Sequence, residues 1–91
     1  MTAGPKKLEI CNERGLHARA SARFVKTCEN FDAEVRVKKG EYDVGGTSIM
    51  GLMMLAASKG CSVQVSATGP QADEALAALE TLVADRFGEE V

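Results

Sequence analysis

The sequence predicts an α+β fold of two layers, in which three helices cover one face of a mostly antiparallel four-stranded sheet and water meets the other. Three observations lead there. The element order reads βαββαβα, each strand alternates so that one face is apolar, and each helix carries an apolar stripe. The 91 residues, 45% hydrophobic and 26% charged, are enough for one core and one domain, taken as residues 1–91.

Leu8 and Ile10 flank Glu9 and lead into Asn12-Glu13-Arg14-Gly15, the pattern of a half-buried strand and a turn. From Arg19 to Glu29 the period lengthens. Ser21, Phe24, Val25 and Cys28 follow the i, i+3, i+4, i+7 spacing of a helix buried on one side. Asn30-Phe31-Asp32 ends it, and Val35 and Val37 alternate with charged residues in a second strand closed by Lys39-Gly40. Glu41 to Val44 returns as a hairpin strand, with Tyr42 and Val44 on one face, and stops at Gly45-Gly46. Thr47 and Ser48 cap a second helix expected over Ile49 to Ser58, before Lys59-Gly60. Val63, Val65 and Ala67 mark a fourth strand. Gly69-Pro70 then opens a final helix in which Ala72, Leu76, Leu79 and Val83 share a face, with Ala75 and Leu82 beside them. This order of elements admits a ferredoxin-like strand order and other interlocked split-βαβ arrangements alike.

Composition removes several function classes. A net charge of −2, with one Tyr, three Phe and no Trp, supplies neither a basic footprint nor a stacking platform for nucleic acid. Cys11, Cys28 and Cys61 are odd in number, lack metal-ligand spacing and show no basic or helix-end neighbourhood that would activate them, so free structural thiols, a reducing cytoplasm and no metal are expected. The first residues contain no apolar signal region, and the longest apolar run, Ile49 to Ala57, is interrupted by Gly51 and too short to span a bilayer. The expectation is a cytoplasmic chain without membrane insertion.

His17, the only histidine, stands where the first turn opens the first helix. Unpaired N–H groups and a partial positive charge at a helix start favour an anion such as phosphate, and the same field favours a neutral ring with a lone pair to give. Such a ring can attack phosphorus. At about 100° per residue, Arg19, Arg23 and Lys26 fall within a sector of roughly 60° opposite the core stripe. Arg19 is near enough to fork onto phosphoryl oxygens, and Arg23 and Lys26 suit an acidic partner. A histidine that only tolerates a helix start reads the same way in spacing. A metal ligand or a Cys-His hydrolase fits less well, for want of spaced ligands or an oxyanion motif.

The second helix, Ser48 to Ala57, has no charged residue on any face. If Leu52, Leu55 and Ala56 turn inward, Ile49, Met50 and Met53 form an exposed apolar patch of the kind that marks a docking surface. The alternative is a helix buried all round beneath the C-terminal one. Ser48 reads first as a structural N-cap. A phosphate placed on it would suit the helix N-terminus and set negative charge beside Ile49 and Met50.

Asn12-Glu13-Arg14-Gly15-Leu16-His17-Ala18-Arg19 and Gly46-Thr47-Ser48-Ile49-Met50-Gly51-Leu52 resemble the two signatures of the histidine-containing phosphocarrier (HPr) family, over about Lys7 to Phe87. The resemblance implies an open-faced β-sandwich of sheet order 1-4-2-3 and a monomeric phosphoryl carrier, not an enzyme and without a cofactor, of the phosphoenolpyruvate-dependent phosphotransferase system. It implies that His17 takes a phosphoryl group on Nδ1 from enzyme I and passes it to a histidine of an enzyme IIA domain, with Arg19 beside it. It also makes Ser48 the serine that an HPr kinase/phosphorylase modifies in many relatives, and Ile49, Met50 and Met53 the docking surface. Ala20 departs from the pattern, which has Pro after the arginine. That loss frees a fixed φ at a cost of about 1 kcal/mol or less and blurs the branch, sugar transport or nitrogen-related. A regulatory module whose output is binding, switched by charge at His17 or Ser48, is the competing expectation.

Overall fold

The computed structural model describes residues 1–91. Its elements are β1 (Thr2–Glu9), α1 (Ala18–Glu29), β2 (Glu34–Lys39), β3 (Tyr42–Gly45), α2 (Ile49–Met54), β4 (Ser62–Thr68), α3 (Ala72–Ala84) and a 3-10 turn, Arg86–Gly88. The sheet order is β1-β4-β2-β3, antiparallel throughout. Register makes the two faces. Lys7, Gln64, Lys38 and Asp43 stand opposite one another across all four strands, and all are exposed. One residue along, Val65, Val37 and Val44 form the neighbouring row, and Val65 and Val37 are fully buried under the helices. The period-two alternation thus assigns each strand its faces, and one residue of slip would invert them.

Phe24, Val25 and Cys28 on α1 and Ala72, Ala75, Leu79 and Val83 on α3 are buried, as their spacing predicts, in one core of 21 residues. Leu76 and Leu82 pack at its margin. Desolvation at this depth pushes the Cys28 thiol up to about 12.

Three readings are corrected. β1 begins at Thr2, ahead of Leu8, because Thr2 and Ala3 pair with Thr68 and Ala67 before the register shifts between Ala3 and Lys6. α2 ends at Met54, short of Ser58: Leu55 caps it and Ala56 takes a positive φ of 50°. The early stop frees the Ala57 carbonyl to accept a hydrogen bond from Leu16 N–H at 2.9 Å, which docks the loop before α1 onto the chain after α2. In consequence Ala57 is buried in place of Ala56, which is exposed. Finally, Cys61 has a basic neighbour: hydrogen bonds from Ser58, outweighing slight desolvation, and the charge of Lys39 lower its thiol from the ordinary value.

Candidate functional site

The loop joining β1 to α1 is built around Asn12 and Gly15. Asn12 is fully buried, and its Nδ2 donates to the Gly15 carbonyl at 2.9 Å. Gly15 has φ +65°, and a Cβ there would lie 2.3 Å from the Ala57 carbonyl oxygen, so only glycine lets the loop approach the end of α2 this closely. Leu16 follows into the core, and His17 becomes the N-cap of α1 with extended backbone, its carbonyl accepting from Ser21 N–H at 2.8 Å. The N–H groups of Ala18, Arg19 and Ala20 have no backbone partner and lie at the positive end of the helix.

The His17 ring is a quarter exposed. Its Nε2 lies 2.6 Å from Oε2 of Glu89, whose other oxygen accepts from Asn12 Nδ2 at 3.0 Å. A carboxylate can only accept, so Nε2 is the donor. In the neutral ring that leaves the lone pair on Nδ1, which makes no hydrogen bond to the protein. The sequence reading weighed the helix terminus alone and did not contain this carboxylate. For Glu89, desolvation raises the carboxyl, but hydrogen bonds from Asn12 and His17 and the charges of His17 and Arg14 outweigh it and hold the group below its ordinary 4.5.

Glu89 arrives here because the chain end folds back. Phe87 is fully buried at φ 55°, Arg23 donates from its guanidinium to the Phe87 carbonyl, and Glu13 N–H donates to the Val91 carbonyl at 3.2 Å. Arg14, His17, Arg19, Arg23, Glu89 and Glu90 line one open cleft of about 450 Å³. The basic stripe therefore divides. Arg19 faces the cleft beside His17, Arg23 is engaged with the chain end, and Lys26 stays exposed in the last turn of α1, outside the cleft.

A smaller groove of about 200 Å³ also borders His17 and is lined by Leu16 and, just past α2, by Ala56, Ala57 and Ser58. Leu52 is fully buried, while Ile49, Met50, Met53 and Met54 are 40%, 74%, 44% and 65% exposed, so the patch expected on α2 exists and includes Met54. The fully buried alternative for this helix is overturned. Ser48, itself exposed, caps α2 by accepting from Gly51 N–H at 3.0 Å.

The family described as "PTS HPr component phosphorylation site" matches residues 5–85. The chain belongs to the HPr family. This is a family of phosphocarrier proteins of the phosphotransferase system, and the similarity runs along nearly the whole chain. The phosphocarrier protein HPr of Neisseria meningitidis serogroup A is 48% identical over 84 residues, covering 92% of this chain and 94% of that one. The phosphocarrier protein NPr of Escherichia coli K12 is 39% identical over 84 residues, covering 91% and 93%. Among solved structures, HPr from Thermoanaerobacter tengcongensis superposes with a TM-score of 0.89 at 41% identity, covering 100% of this chain and 99% of that one. A phosphocarrier protein HPr from Bacillus anthracis gives 0.82 at 34%, covering 91% and 95%. The open four-stranded sheet of order 1-4-2-3 with its three helices is thus the fold of the family.

The sequence reading missed Glu89, Asn12 and Phe87 as parts of the site. Glu89 is 72 residues from His17, and periodicity carries no signal over that distance. Phe87 did offer one: an isolated aromatic just past an amphipathic helix, in a chain with only three Phe.

Proposed function

We propose that the chain carries phosphoryl groups on His17, accepting them on Nδ1 from enzyme I and delivering them to a histidine of an enzyme IIA domain in the cytoplasm. The observation that carries this is the lone imidazole at the head of α1, with Nε2 occupied by Glu89 and Nδ1 unpartnered beside unpaired main-chain donors and Arg19. The Nδ1 lone pair attacks phosphorus, the new N–P bond forms, and the donor's bond to phosphorus breaks. The helix N-terminus and the Arg19 guanidinium meet the charge on the phosphoryl oxygens. In delivery the same bond breaks and the acceptor nitrogen takes the group. Ile49, Met50 and Met53 form the apolar ground for partner docking, and Arg23 and Lys26 its basic border.

Ser48 is the candidate regulatory site, where an HPr kinase/phosphorylase would add phosphate. The hydroxyl is exposed at the edge of the apolar patch, so a dianion there would oppose docking of an acidic partner. A second reading, a regulatory module of the nitrogen-related branch, is favoured by the similarity to both HPr and NPr proteins.

The test is incubation with phosphoenolpyruvate and enzyme I. The protein gains one acid-labile, base-stable phosphate that His17→Ala does not. Equal labelling of that variant would refute the assignment. Phosphoserine survives acid, so label that resists acid would point to Ser48 instead.

A further inference from the structure

We propose that Glu89 is a positioning residue of the transfer site: held by Asn12, its carboxylate keeps the proton on Nε2 of His17 through both halves of the cycle, so that Nδ1 alone takes and releases phosphorus. This rests on the phosphoryl-carrier reading above. The distances carry it. Oε2 is 2.6 Å from Nε2, Oε1 accepts from Asn12 Nδ2 at 3.0 Å, and the same Nδ2 holds the Gly15 carbonyl at 2.9 Å. Asn12 cannot rotate its amide end for end, because its Oδ1 would then face both the Gly15 carbonyl and the carboxylate. That oxygen is buried without a partner as it stands, a cost accepted to aim the nitrogen at Glu89. The buried Phe87 and the Arg23 contact to its carbonyl bring the acid within reach.

The proton balance follows. Attack by the Nδ1 lone pair of the neutral, Nε2-protonated ring makes an N-phosphorylated ring that is cationic in the imidazole, and the carboxylate pairs with that charge at Nε2. When the N–P bond breaks in delivery, the electron pair returns to Nδ1, and the ring leaves neutral with its Nε2 proton still in place. No proton is gained or lost in either step. A ring without that proton would have to leave as imidazolate, a far poorer leaving group. The other charged groups around the cleft are Glu13 and Arg14 in the loop before α1, Arg19 and Arg23 on α1, and Glu90 beside Glu89. None of them hydrogen-bonds Nε2, which has Glu89 as its single partner.

The test uses Glu89→Gln, with Glu41→Gln, exposed in the hairpin turn outside the cleft, as the control for loss of one negative charge. With one histidine in the chain, nitrogen-15 labelling of histidine gives the tautomer directly by NMR. In Glu89→Gln the new amide oxygen accepts from Asn12, so its NH2 group faces the ring and turns Nε2 into an acceptor. The hydrogen moves to Nδ1, and phosphorylation by enzyme I slows about tenfold or more. In the phosphorylated variant Nε2 has no carboxylate to hold its proton, so delivery to an enzyme IIA falls about tenfold near pH 8 and recovers near pH 6. Glu41→Gln matches wild type in every arm. Wild-type tautomer and pH profile in Glu89→Gln would overturn the proposal while the carrier reading stood. Absence of phosphate on wild-type His17 would overturn the carrier reading, while the tautomer of the free ring would still test what Glu89 does to Nε2.

Discussion

Gly15 and Gly40 have nearly the same backbone, φ +65° and +59°, but different surroundings. Alanine at either position meets the left-handed penalty, about 1–2 kcal/mol, partly offset by about 0.4–1 kcal/mol from a stiffer unfolded chain. At Gly40 a Cβ would meet nothing within 4 Å, so Gly40→Ala is expected to cost about 1 kcal/mol in all. At Gly15 the Cβ would lie 2.3 Å from the Ala57 carbonyl oxygen and 2.8 Å from the Ser58 Cα, both backbone, so loop and helix end must part. Parting them breaks the 2.9 Å bond from Leu16 N–H to Ala57, worth about 1 kcal/mol, and uncovers part of the buried Leu16, worth about 1 more. Gly15→Ala should therefore cost about 3 kcal/mol. For a domain of this size that lowers Tm by about 12–24 °C, against about 4–8 °C for Gly40→Ala. Urea unfolding with unchanged m-values is the assay. Phosphoryl acceptance should fall only in Gly15→Ala, whose lesion lies in the loop that places His17. Two variants within about 0.5 kcal/mol of each other would refute the claim that this contact, and not backbone conformation alone, demands glycine.

Phe87→Ala should destabilise by about 3–5 kcal/mol, measured by urea unfolding, because the ring is fully buried. The same variant should lose the Nε2 hydrogen bond to Glu89, visible as a mixed His17 tautomer by NMR. Ser48→Ala should cost about 1 kcal/mol through the lost cap, whereas Ser48→Asp should keep the cap and near-wild-type stability while weakening binding of an acidic partner in titration calorimetry. Glu89 gives a pH signature. Its folded-state carboxyl lies below the ordinary 4.5, so its stabilisation is fully present above that value and is lost as pH falls through the lower folded value. The stability gap between wild type and Glu89→Gln, followed by urea titration, should hold above about pH 5 and close in acid; a gap that widened in acid would reverse the sign of the argument.

Much of the fold was legible because its signals are local. Val35 and Val37, Val63 to Ala67 and the stripe Phe24, Val25, Cys28 each announce element type and buried face within a few residues, and the structure buries them as read. The boundaries that shifted depend on distant partners. α2 looks helical to Ser58 by composition, but the Ala57 carbonyl is taken by Leu16, 41 positions earlier in the chain, and the helix stops sooner. The same split runs through the site. His17 and Arg19 were visible because helix starts have their own electrostatics, and the α2 patch because an uncharged helix on a two-layer fold must expose a side. Glu89 was not, because a carboxylate near the chain end, after a left-handed Phe87, offers no periodicity and no motif to connect it with an imidazole across the molecule.

The most direct measurement is to phosphorylate histidine-labelled protein with phosphoenolpyruvate and enzyme I and record which ring nitrogen couples to phosphorus. With a single imidazole in the chain the spectrum has one possible source. Coupling at Nδ1 with hydrogen retained on Nε2 is the predicted result. Coupling at Nε2, or phosphate found only on a hydroxyl, would contradict the account.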